Sequence, residues 1–214
     1  MKFKTLASEA TAVSKTRDML AQRSLLLRAY LLLLNEKIME ATTMSESDKQ
    51  LYQSLISNEV AFLENHSKFV ESVATLLDAQ KASMQLEAHY TILSTSIRQI
   101  ILGLTMSRLV RLGDTYSGIL VNSQVLLNSA KSELSLDRQI TLDRWFQKIS
   151  DKRTLYLQKV EVINQAKKDL KGTRVTDVQN KFQLILPQIT QAKQELKDGT
   201  SYIGELLNAM RYKD

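Results

Sequence analysis

A leucine or valine returns every seventh residue along the start of the chain, at Leu6, Val13, Leu20, Leu27 and Leu34. A second set, offset by four, passes through Ala10, Arg17, Ser24, Leu31 and Ile38. On an α-helix two such ladders merge into one apolar stripe, the pattern of coiled-coil-like packing. A first helix is therefore predicted over 5–41. Arg17 and Ser24 interrupt the second ladder, which argues against an uninterrupted two-stranded zipper. The clusters Leu25–Leu27 and Leu31–Leu34 exceed a single stripe. They predict that this helix touches neighbours on several sides.

The same 3.6-residue period continues to the C-terminus. The segment Thr42-Thr43-Met44-Ser45 is the first break, and Ser45 followed by Asp48 reads as an N-cap with a carboxylate in the first turn. A second helix is predicted over 46–77, antiparallel to the first across this short connection. A third is predicted over 83–132, with Asp78 or Ser83 as a candidate cap and nothing there that forbids continuation from the second helix. Gly103, Gly113 and Gly118 fall inside it, so it either kinks near Gly113 or is held straight by packing. A fourth helix is predicted over 137–171, ending at the stop signal Lys171-Gly172. A fifth is predicted over 176–211, bent at Pro187. No period-2 strand pattern stands out. The expected fold is all-α: an elongated, mostly antiparallel bundle of about five long helices forming a single domain over 1–214.

Composition narrows the chemistry. The 214 residues contain one proline, six glycines and no cysteine, so disulfides, thiolate metal sites and cysteine nucleophiles are excluded. Apolar residues at 43% are too plentiful and too periodic for a disordered chain. The greasiest run, Leu25 to Leu34, is broken by Arg28 and is far shorter than the roughly 20 residues needed to span a bilayer. The net charge of +6 is concentrated in residues 136–214, which hold 15 basic against 10 acidic side chains. An acidic partner could bind there, although a solvated helix surface accounts for the same excess.

No dinucleotide fingerprint, P-loop or nucleophile elbow is present. His66 and His89 each follow a glutamate at two residues, a spacing that points the pair to different helix faces. No metal, cofactor or catalytic residue is therefore expected. Two cationic groups remain. Arg98, Arg108 and Arg111 form a polar strip on the otherwise apolar third helix, with the planar fork that grips a carboxylate or phosphate. Arg144, Lys148, Lys152, Arg153 and Lys159 form a candidate basic face on the fourth. The acids Asp137, Asp143, Asp151, Glu161 and Asp169 interleave with that face, which suits i,i+4 pairing better than a phosphate track.

The stretch 23–112 opens RSLLLRAYLLLLNEKIMEATTMSESDKQLYQSLISNEVAFLENH and later reads LEAHYTILSTSIRQIILGLTMSRL. It resembles a loose group of all-helical, leader-bearing hypothetical proteins of uncultured small-genome bacteria. These share a leucine-rich helix, a Leu-Ser or Met-Ser turn (here Met44-Ser45), a second helix, and a helix opening near a tyrosine (here Tyr90). Where members often carry a proline in the tyrosine helix, this chain has Gly103. The resemblance implies an exported protein, extracellular or in the cell envelope, and assigns no functional residue.

Three readings of function follow. The first is a non-enzymatic structural or interaction protein whose surplus apolar face docks a protein, either another chain or a second copy. The second is a ligand-sensing bundle that binds a small anion through Arg98, Arg108 and Arg111. The third, less favoured, is a nonspecific nucleic-acid-binding subunit that uses the basic face of the fourth helix.

Overall fold

The second and third helices of this protein begin where the sequence supplies a side-chain cap. The computed structural model describes residues 6–170 and 174–211. Among these it contains five α-helices and no strand: α1 Leu6–Met39, α2 Glu46–Glu71, α3 Leu76–Ala130, α4 Leu136–Lys168 and α5 Val175–Arg211. A short 3-10 turn, Lys131–Glu133, precedes α4. At the head of α2 the Asp48 amide donates to Ser45 Oγ at 3.1 Å, as the serine–aspartate spacing predicts.

α2 stops six residues earlier than its apolar pattern suggests. The Ser72 amide closes the last turn onto the carbonyls of Phe69 and Val70. Thr75 then starts α3. The Asp78 amide donates to Thr75 Oγ1 at 3.1 Å. The Thr75 amide and hydroxyl both donate back to Asp78 Oδ2, at 3.2 and 2.7 Å. This reciprocal capping box satisfies end donors that the helix itself leaves open. The hydrogen bond from Thr75 holds the Asp78 carboxyl below the usual carboxylate range. The break between the second and third helices is thus at 72–75, not at 78–83. The predicted stop at Lys171-Gly172 lies outside the described residues.

The chain divides into two compact units, Met1–Leu104 with Lys171–Gln179 and Thr105–Leu170 with Asn180–Asp214. In the first, α1, α2 and the start of α3 enclose one apolar cluster. Leu20, Leu31, Ile38, Ile56, Leu63, Val70, Leu86, Leu93 and Ile100 are its buried members. On α2 the inward positions are Tyr52, Ile56, Glu59, Leu63, His66 and Val70, a strict 4-3 alternation. In the second unit α4 buries Leu142, Ile149, Tyr156 and Ile163, one every seven residues, and Leu170 just past its end continues the step. α5 answers with Ile185, Ala192 and Leu206, and with Ile189, Leu196 and Ile203 between them. α5 runs unbroken through Pro187, whose missing N–H leaves the Gln183 carbonyl without its usual helical donor.

Three glycines mark where a tyrosine ring presses onto a helix backbone. A Cβ added at Gly103 would collide with the Tyr52 ring, one at Gly113 with Tyr156, and one at Gly199 with Tyr116. Two of these rings also bond across the seam. The Tyr156 hydroxyl donates to the Leu109 carbonyl and the Tyr116 hydroxyl to the Ile149 carbonyl, each at 2.9 Å. Burial pushes both phenols up to about 12, so they remain protonated donors throughout the neutral range. Packing against Tyr156 thus offsets the helix-propensity cost of Gly113, and α3 continues through it.

Gly118 and Gly204 have open space where a Cβ would go. Alanine gains about 1 kcal/mol over glycine inside a helix, whereas overpacking a closed seam costs about 1–3 kcal/mol. Gly118→Ala and Gly204→Ala are therefore expected to raise stability by about 0.5–1 kcal/mol in denaturant titrations. Gly113→Ala and Gly199→Ala are expected to lower it by about 1–2 kcal/mol. A uniform gain at all four positions would contradict the ring-on-backbone contacts.

Candidate interaction surface

α1 carries apolar side chains on more of its circumference than the first unit covers. Val13, Leu20, Ser24, Leu31, Leu34 and Ile38 point inward. The leucine clusters do not pack against neighbours on several sides, as their density suggests. Leu25 and Leu26 are 66% and 71% exposed, and Met19, Leu32, Leu33 and Met39 are each about half exposed or more. The reason is geometric. The Arg28 guanidinium pairs with Glu64 of α2 at 2.8 Å, and Arg23 lies over the Tyr90 ring of α3 at 5.7 Å. These contacts fix α2 and α3 on the two flanks of the buried stripe, and the opposite side of α1 is left to solvent.

Ser24, one of the two interruptions in the second ladder, belongs to a buried polar layer. His66 is 1% exposed. Its Nε2 lies 3.0 Å from the Ala82 carbonyl, and its Nδ1 lies 3.2 Å from Ser24 Oγ. A carbonyl only accepts, so Nε2 carries the proton, and in the neutral ring Nδ1 accepts from the serine. A second layer surrounds Glu59, which is 3% exposed. His89 Nε2 and Ser96 Oγ donate to its two carboxylate oxygens at 2.7 and 2.8 Å. Phe62 stacks on His89, with centroids 3.5 Å apart, and more distantly on His66. The two histidines thus work in separate layers, and among the described residues no three His, Asp or Glu side chains converge as a metal site.

The Ser24–His66 contact has the pairing of a nucleophile and a base. It also sits beside a groove of about 530 Å³ lined in part by Arg28, Glu64 and Lys68. Ser24 lies in the middle of α1, however, where the surrounding amides are committed to the helix ladder. No backbone donors are free there to hold a developing oxyanion. The layers occupy core positions of packed helices, where a satisfied polar group can favour one register over its neighbours.

The predicted arginine strip is divided between the two units. Arg98, in the first, turns back on its own helix and donates to the hydroxyl and carbonyl of Ser94. Arg108 and Arg111, in the second, are exposed. Within that unit a groove of about 280 Å³ separates Leu112, Thr115 and Ile119 of α3 from Lys193, Leu196 and Lys197 of α5.

The basic residues of α4 are largely engaged in holding the second unit together. Lys152 Nζ bonds Glu195 and Asp198 of α5 at 2.8 and 2.9 Å, and these bonds push its pKa above the usual lysine value. Arg153 Nε donates to Ser117 of α3 at 2.9 Å. Lys159 reaches Gln188 at 3.4 Å. Lys148 rests over the rings of Trp145 and Tyr202 at 4.4 and 5.8 Å. Arg144 is exposed. Four of the five side chains therefore have an internal partner, and Lys152 is flanked by two carboxylates. Sequence reasoning missed Glu195 and Asp198 as its partners. It also missed Glu59, whose one available signal was its place in the 4-3 spacing of α2.

The buried carboxylate of Glu59 yields a test. His89→Ala removes one of its two donors and is expected to cost about 1–3 kcal/mol in chemical unfolding. Replacing the layer together, with Glu59→Leu, His89→Leu and Ser96→Ala, should recover most of that loss or exceed the starting stability. A triple variant less stable than His89→Ala would contradict a purely structural role. Compared with known protein families, curated proteins and solved structures, the chain matches none of them.

Proposed function

We propose that this is a non-enzymatic helical protein that works by protein–protein contact, with the outer face of α1 as its contact surface. One observation carries the reading: two rows of exposed apolar residues at seven-residue spacing on a single helix, Met19, Leu26 and Leu33 beside Leu25, Leu32 and Met39. Scattered apolar residues are normal on any surface, but a contiguous patch marks a docking site. Leu25 and Leu26 are more exposed than any apolar residue of the first unit's core, so their burial against a partner is free energy still available to the protein. No described helix is long and apolar enough to cross a membrane, so the patch is not part of a spanning segment.

Anion capture has one observation in its favour. Arg108 and Arg111 lie in the same unit as the groove that carries Lys193 and Lys197. It has less support than the docking reading because Arg98 is tied to Ser94 and the groove is mostly apolar. Nucleic-acid binding has less again, because the carboxylates of Glu195 and Asp198 offset the charge of Lys152.

The docking reading is tested with a photo-crosslinking amino acid at position 26, and at exposed Gln147 as a control, in the full-length chain expressed in its source cells. Protein adducts from position 26 and not from 147 are expected. Adducts to lipid alone, or none, would sink the reading.

A further inference from the structure

The outer face of α1 has its own heptad. Lys15, Met19, Gln22, Leu26, Ala29, Leu33, Glu36 and Glu40 are spaced 4-3-4-3-4-3-4, and every one is exposed. This stripe lies opposite the ladder that builds the core and spans roughly 38 Å at 1.5 Å per residue. Alternating spacing of this kind is what a helix needs to pack lengthwise against one other helix. The first unit uses one such stripe and leaves the second unused.

Charge selects the occupant. The N-terminal end of the stripe, Lys15, Arg17 and Asp18, carries a net +1. The C-terminal end, Glu36, Lys37 and Glu40 just past the last residue of α1, carries a net −1, with Lys37 and Glu40 paired at 2.7 Å within one copy. A parallel pair of identical stripes would oppose Lys15 to Lys15 and Glu40 to Glu40. An antiparallel pair turned about an axis between Leu26 and Ala29 opposes Lys15 to Glu40 and Asp18 to Lys37. In the same register Leu33 faces Gln22, Met19 faces the stem of Glu36, and Leu26 sits over the small Ala29. Sliding the helices by one heptad in either direction loses both charge pairs and places Glu36 against Leu26, or Lys15 against Leu33. The stripe is therefore self-complementary in one orientation and one register, as a two-fold interface requires.

We infer that the partner of this face is a second copy of the chain, laid antiparallel along α1 with its two-fold axis between Leu26 and Ala29. This rests on the reading of the α1 face as a contact surface. The ends of the stripe set direction and register, and Leu25, Leu26, Tyr30 and Leu33 supply the apolar centre.

Sedimentation equilibrium of the full chain tests it. A concentration-dependent dimer is expected. Leu26→Glu should abolish it without loss of helicity in circular dichroism, because that side chain is 71% exposed within one copy. Lys15→Glu and Glu40→Lys each turn two attractive pairs into repulsive ones, and each should weaken the dimer roughly tenfold. An equimolar mixture of these two variants should recover the unsubstituted affinity, because a heterodimer of the two satisfies every pair. A chain that stays monomeric, or charge variants that dimerise as well as the unsubstituted chain, would overturn the antiparallel pair. A monomeric chain that still forms protein adducts from position 26 would overturn only the second copy and leave the contact surface standing.

Discussion

Every helix in this protein is held by the burial of side chains that recur at alternating three- and four-residue steps. An isolated helix gains little from its own hydrogen bonds in water, so these long rods depend on the seams they share. In the first unit the seam is built from Leu20, Leu31 and Ile38 of α1 against Ile56, Leu63 and Val70 of α2 and Leu86 and Leu93 of α3. In the second, the seven-residue ladder of α4 meets the ladder of α5. Everything else described modifies this one interaction: the tyrosines that press onto glycines, the polar layers set within the core, and the apolar surface left over.

The leftover surface follows from counting faces. A helix packed in a three-membered group meets two neighbours, and the rest of its circumference faces outward. On α2 and α5 that outward part is largely polar. On α1 it holds Leu25, Leu26, Leu32 and Leu33. A folded chain gains nothing from exposed leucine in that position by itself, because exposed apolar surface favours association. In the proposed antiparallel pair, the alternating spacing of this face and its opposite end charges set the direction.

Much of the architecture was legible in the chain. The ladder through Val13, Leu20 and Leu34 marked the buried side of α1, and Ser45 with Asp48 marked the start of α2. The start of α3 is equally written, in Thr75 and Asp78, but the apolar pair Leu76-Leu77 continues the period of the preceding helix and masks it. Helical period alone cannot separate a leucine that meets a neighbour from one that meets water, so the clusters of α1 read as enclosed. The polar layers were legible only in part. Ser24 showed as a break in a ladder, while its partner His66 lies 42 residues away and is set by the fold. The ring contacts at Gly103, Gly113 and Gly199, and the bonds from Lys152 to α5, are tertiary pairings with no local signature.

The central claim is that α1 has a buried and an exposed apolar stripe, and the absence of native cysteine allows a direct measurement. Single cysteines placed at positions 26 and 33, and separately at 31 and 38, can be titrated with a thiol reagent in dilute protein. The account predicts rapid modification at 26 and 33 and protection at 31 and 38 until the chain is unfolded. Equal rates at all four positions, or protection at 26 and 33 in the dilute chain, would contradict it.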